Sequence, residues 1–370
     1  MNVEKLSLAM KATYRYFSTP DGSFLDEHGR ILHYSVDRFI NDICYGDCCF
    51  ICGARSGSKR FSNEHIIPKW ILRRYGLFNR HITLPSLSGF TYGRYVIPCC
   101  EECNGLLGRV IEDPVSRAIA GGFSAVIEHI NNYGPWLFFL WQSLIYLKTH
   151  LKDRSLLIHR DHRKGTHTIG EMYEWRRLYH IHCIARSIYT NAQISPSVLG
   201  SFVVLPAKVA KHLDRFDYVD LYQAWSTMIR VEDMCFISVL NDCGAALSFH
   251  KDRLSKWGRG PLSPLQYREI FVRMSYVNMK LKNRPTFKYK VRSGDPYQLE
   301  AVHERTAVLS NGTEEEFGQV LFACTNEILT DIQNENIEEI KELVKRGRYT
   351  FLLDERGIFI DNSMDPMNSP

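Results

Sequence analysis

The sequence has 370 residues, 45% hydrophobic and 24% charged, which excludes a disordered chain and leaves room for two or three cores. Its net charge of +5 is unevenly spread: residues 300–370 hold 6 Lys/Arg and 15 Asp/Glu, leaving 40 basic and 26 acidic residues before them, a balance of +14. A basic body with an acidic tail suits a polyanionic partner, and the longest apolar run, Trp136–Leu147, is too short for a bilayer span, so no membrane is expected.

The start of the chain, Met1-Asn2-Val3-Glu4-Lys5-Leu6, lacks a signal-peptide pattern. Several of the 11 cysteines fall in x-x-spaced pairs, which favours metal binding in a reducing compartment over a disulfide framework. A cytoplasmic location is expected. Residues 1–43 read as a helical lead-in, because Leu6, Met10, Tyr14 and Phe17 recur at helical spacing before a turn at Pro20-Asp21-Gly22. Ser35–Ile43 reads as a second short helix.

The next stretch carries the chemistry. Cys49-Phe50-Ile51-Cys52-Gly53 is followed, after 47 intervening residues from Cys52, by Cys100-Glu101-Glu102-Cys103-Asn104. Two such pairs can share one tetrahedral ion, so Cys49, Cys52, Cys100 and Cys103 are expected to hold a structural zinc. Cys48 and Cys99 abut the pairs and leave x-x-x pairings open. Between the pairs, Phe61–Ile67 reads as an extended segment containing Glu64 and His65, and Pro68 opens a helix, Lys69–Tyr75, stopped by Gly76. Ile82–Leu84 and Tyr92–Ile97 have strand character around a turn at Pro85–Gly89, and Asn104–Glu112 reads as a helix ended by Asp113-Pro114.

The pattern C-x2-C, E-H-I-I-P, C-x2-C-N resembles the HNH endonucleases, whose core is the ββα-metal finger, and in its motif order the phage resolvases of the endonuclease VII type. The resemblance covers Cys49 to about Glu112. It implies an α+β protein: a zinc-stabilised ββα-metal nuclease domain over residues 44–130, followed by a larger mixed domain over 131–370 for target binding or regulation. It also implies His65 as general base, Glu64 and Asn104 as ligands of a catalytic Mg²⁺ or Mn²⁺, Glu112 as an optional further ligand, and the four cysteines around zinc. The residue types suit these roles: a near-neutral imidazole accepts a proton from water, and a hard cation takes oxygen ligands. Two departures stand out. The usual acid of the family is Asp, one methylene shorter than Glu64, and adjacent strand residues face opposite ways unless the strand bends.

Lys69, Arg73 and Arg109 near the motif are candidate phosphate contacts. So are Lys288, Lys290 and Arg292, because Phe287–Arg292 alternates cationic and apolar residues. Six histidines between His150 and His182 fit no single face and read as a basic loop. Arg176–Thr190 and Val198–Pro206 read as strands. Thr313–Glu316 shows a capping box before a helix, a second helix spans Glu335–Arg346, and Tyr349–Asp361 reads as a hairpin. The function expected is phosphodiester hydrolysis in nucleic acid, DNA rather than RNA, in a restriction or phage-defence setting. Self-association or a regulatory partner is assigned to the C-terminal region. A non-catalytic zinc-finger binding module is the alternative.

Overall fold

The computed structural model describes residues 14–82, 90–159, 161–211, 213–258, 260–304 and 306–361, which form a mixed α+β chain. Its first element is a sheet. Strands β1 (Tyr16–Ser18), β2 (Phe24–Asp26) and β3 (Ile31–His33) pair antiparallel, which overturns the helical reading of Tyr14 and Phe17. The turn decides the matter: Gly22 sits at φ +83°, and the Asp21 carboxylate accepts from the Ser23 hydroxyl at 2.8 Å, folding the chain back as a hairpin. Leu6 and Met10 lie outside the described residues. Ser35 then caps α1 (Val36–Arg38) and a π-turn continues it over Phe39–Cys44, burying Phe39 and Ile43 as expected.

Strand β4 (Phe61–His65) follows, then α2 (Lys69–Arg74) behind Pro68, with Gly76 at φ +62° closing it. β5 (His81–Ile82) and β6 (Phe90–Thr91) make a small two-stranded insert. The turn expected at Pro85–Gly89 lies outside the described residues. β7 (Val96–Cys100) returns antiparallel to β4 and leads directly into α3 (Glu101–Leu107). The helix does not stop at Asp113-Pro114. A π-turn over Gly108–Glu112, with the Asp113 N–H bonded to the Gly108 carbonyl, hands on to α4 (Asp113–Ala120). That wide turn places Pro114 in a first helical turn, where its missing N–H costs nothing.

A break at Gly122 (φ +80°) separates α4 from α5 (Gly122–Tyr133), and α6 (Trp136–Asp153) runs through the centre of the molecule, buried at every residue from Phe138 to Leu151. The segment read as a strand at Arg176–Thr190 is helical instead, α7 (Trp175–Ala185) and α8 (Ser187–Thr190). From Leu178 to Ala185 all residues are buried, His180 and His182 included, so no polar face exists to mark a helical period. A short β8 (Gln193–Ile194) precedes the main sheet of β9 (Ser201–Pro206), β10 (Phe216–Leu221), β11 (Ser226–Val231) and β12 (Met234–Val239), ordered β10-β11-β12-β9 and antiparallel.

β11 and β12 are buried along their whole length because helices cover both faces. On one side α6 packs Phe138 and Trp141 on Phe236, with ring centroids at 5.4 and 5.7 Å. On the other lie α9 (Ala245–Trp257) and α10 (Pro264–Lys280). β13 (Thr286–Lys290) and β14 (Gln298–Val302) pair antiparallel, and β14 takes β8 as a parallel neighbour. α11 (Glu314–Asp331) carries the expected Thr313–Glu316 capping box, and α12 (Ile337–Lys345) packs on it. Leu353 and Phe359 then bridge antiparallel around Asp354.

Gly318 marks a close approach between α11 and the end of α12: a Cβ there would lie 2.3 Å from the Gly347 nitrogen and 2.4 Å from the Lys345 oxygen. Those are backbone atoms and cannot swing aside. Gly318→Ala is therefore expected to destabilise the C-terminal helices by about 1–3 kcal/mol, read as a lower urea midpoint.

Two buried clusters result. One includes Cys49, Ile66, Ile111, Phe138, Ile181 and Phe236, so the cysteine-rich stretch shares its core with α6 and α7. The other lies between the main sheet and α9–α12. Among the described residues, no helix is long and apolar enough to cross a membrane.

Candidate functional site

The four cysteines of the two x-x pairs meet in the fold. Their sulfurs all lie within 4.8 Å of one another, and all four residues are buried. The local chain explains this. Cys49–Ala54 closes a tight turn: the Gly53 N–H bonds the Cys49 carbonyl, the Cys49 N–H bonds the Ala54 carbonyl, and the Ala54 N–H points at the Cys52 sulfur at 3.4 Å. Gly53 is required, since it sits at φ +77° and any Cβ would overlap the Tyr34 hydroxyl. Cys100 ends β7 as the N-cap of α3, and Cys103 follows one turn later.

The donor set fits a tetrahedral zinc. Zinc–sulfur bonds of about 2.3 Å imply sulfur–sulfur edges of roughly 3.8 Å, and the Cys52–Cys100 separation is 3.6 Å. The Cys49 thiol is held far below the usual range by hydrogen bonds from Cys103, Cys52 and Cys99. Sulfurs this close must share protons or a cation, and zinc binding replaces those protons. The tight group follows the x-x register. Cys99 pairs with Ser62 and so faces the opposite side of the strand pair from Cys100, although its sulfur lies 3.8 Å from that of Cys49; Cys48 is half-exposed and outside the group.

The turn around Cys49 is gripped by side chains that the sequence did not mark. His182 donates to the Phe50 carbonyl at 2.9 Å, Arg186 to that of Ile51 at 2.5 Å, and Arg154 to those of Ile43 and Gly46 at 2.8 and 2.7 Å. Arg154 is the C-cap of α6, His182 lies within α7 and Arg186 is the C-cap of α7. The Arg186 guanidinium also lies over the Tyr34 ring at 4.5 Å.

The Glu-His strand is less simple. β4 alternates regularly, so Ser62 and Glu64 face α3 while His65 faces the β5–β6 insert. Asn104 donates to the Ser62 hydroxyl at 2.8 Å. Glu64 is only 6% exposed, and its carboxylate accepts from the Lys148 ammonium of α6 at 2.6 Å. Lys148 also donates to the His65 carbonyl at 2.8 Å and stands 3.7 Å from Glu112. Burial works against the charge of Lys148, but Glu64 and Glu112 outweigh it and raise the lysine above its usual range. Burial pushes Glu112 up to about 7, against the pull of Lys148 and with the neighbouring Glu64 adding to it.

Glu64 and Glu112 thus converge as the sequence suggested, but on a lysine. The set does not fit a resident divalent cation in this arrangement, because the Lys148 ammonium already engages Glu64 and approaches Glu112, while Asn104 is bonded to Ser62. His65 is half-buried with its ring edge-on to Phe78 at 5.9 Å, and its Nδ1 is buried without a partner. Burial, then the charge of Lys69, lowers its pKa, so the imidazole is neutral at pH 7.

Lys69, Arg73 and Arg109 are exposed, as are Lys288 and Arg292. The cationic face of β13 is partly neutralised: Lys288 is in register with Glu300, and Lys290 pairs with Glu300 at 2.6 Å. Its inner face stacks Phe287 on His180. Among the described residues, the four cysteines are the group of His, Cys, Asp or Glu that gathers tightly enough to hold an ion. Compared with known proteins, the chain matches no family model, no curated protein and no solved structure.

Proposed function

We propose that residues 49–112 are an HNH-type ββα-metal unit and that the protein hydrolyses phosphodiester bonds in nucleic acid, DNA rather than RNA. The observation that carries this reading is the order of parts: two antiparallel strands run into a helix, with the Glu-His pair ending the first strand and Asn104 directly after the last cysteine. Zinc held by Cys49, Cys52, Cys100 and Cys103 clamps the turn at Cys49 to the start of α3 and supplies structure alone. His65, neutral at pH 7, accepts a proton from the attacking water. The exposed Lys69, Arg73 and Arg109 hold phosphates of the strand being cut. No step runs through a divalent ion at Glu64, Asn104 and Glu112. Residues 131–370 position or restrain the target, and a restriction or phage-defence role belongs to the same proposal.

The test is cleavage of supercoiled plasmid by the zinc-loaded full chain and by His65→Ala. A missing general base is expected to slow cutting about 10²–10⁴-fold. Equal cutting by both proteins removes His65 from the chemistry.

A second reading is favoured by one observation, the burial of Glu64 on Lys148. A zinc-clamped module that binds nucleic acid or a protein without cutting needs no accessible carboxylate. Binding in a gel shift that survives His65→Ala, with no cleavage by wild type, selects this reading.

A further inference from the structure

We propose that Lys148 is the resident cation of the Glu64–Glu112 pair, two of the three side chains that the resemblance offers to a divalent metal ion. A lysine ammonium has three N–H donors and no other polar capacity. Here they meet the Glu64 carboxylate at 2.6 Å, the His65 carbonyl at 2.8 Å and, at ion-pair range, Glu112 at 3.7 Å. The side chain is 2% exposed, so water does not compete for those donors.

The ammonium answers the Glu64 carboxylate directly and keeps Glu112 at ion-pair range, so one cation faces both glutamates. A divalent ion of magnesium size needs oxygen ligands at about 2.1 Å and keeps several waters. It would have to expel the ammonium, whose side chain is 2% exposed and bonded to Glu64 and the His65 carbonyl. The two cations exclude each other.

The same contacts tie two groups of β4 to α6. It grips the side chain of Glu64 and the backbone of His65 together, and so fixes the strand end from which the imidazole projects. This inference does not rest on the proposed hydrolysis; it concerns only what supplies positive charge at the two glutamates.

The experiment counts Mn²⁺ by electron paramagnetic resonance on the zinc-loaded full chain, comparing wild type with Glu64→Gln and Lys148→Met with Lys148→Met/Glu64→Gln. Wild type and Glu64→Gln are expected to bind the same amount. Lys148→Met is expected to bind one more Mn²⁺ per chain than the double variant, because two carboxylates then lack a counter-ion. One extra Mn²⁺ in wild type over Glu64→Gln overturns the proposal, as does a folded Lys148→Met that binds no more than the double variant. Should Lys148→Met fail to fold, the first pair decides. No arm measures cleavage, so failure here and failure of the hydrolysis proposal are separate results.

Discussion

Replacing Cys103 by serine is expected to take zinc from one ion per chain to none and to cost the fold about 4 kcal/mol or more. The ion binds the folded state alone, and at free zinc a thousandfold above the dissociation constant that linkage is worth about 4 kcal/mol. The loss should spread beyond the site, because Cys49, Cys100 and Cys103 belong to the same buried cluster as Phe138 and Ile181. Zinc content by mass spectrometry and thermal unfolding measure the two effects. Cys48→Ser is the control: its thiol is half-exposed and outside the four-sulfur group, so full zinc content and an unchanged midpoint are expected.

Lys148→Met is expected to be the most destabilising single change near the Glu-His strand. Removing one partner of a buried ion pair leaves the other charge uncompensated, at a cost of roughly 3–5 kcal/mol. Here Glu64, only 6% exposed, would be left without its counter-ion beside Glu112. Lys148→Met/Glu64→Gln removes both charges of the pair and should recover most of the loss. Urea unfolding of the wild type, both single variants and the double variant closes the cycle. Additive losses would show that the two residues do not act on each other.

The parts of the site legible in the sequence were those set by short-range spacing. Two thiols separated by two residues can share an ion in any fold, and Gly53 after Cys52 supports the turn, so the four cysteines that cluster could be named from residues alone. The helix after Pro68, the capping box at Thr313 and the apolar helix at Trp136 were legible for the same reason.

What the sequence hid were consequences of burial. Lys148 follows an apolar run and looks like its polar end, yet α6 stays buried past it and turns the lysine inward onto β4. α7 was misread as a strand because both of its histidines lie inside. The Asp113-Pro114 stop failed because a single π-turn absorbs the proline, which no residue pattern announces. The alternation that sends Glu64 and His65 to opposite faces was foreseeable, but not which face would be sealed.

The inward-turned cations also change what the basic balance of the first 299 residues means. Lys148, Arg186, Arg230 and Arg268 are all buried, and Arg186 and Arg230 direct their guanidinium groups at backbone carbonyls. Such groups gather no atmosphere of small anions. A polyelectrolyte that docks on this protein can liberate salt ions only where exposed side chains meet its phosphates, so the steepness of binding against ionic strength counts that smaller set. In the proposed binding, exposed residues such as Lys69, Arg73 and Arg109 would set that slope, while the buried four hold the scaffold beneath them.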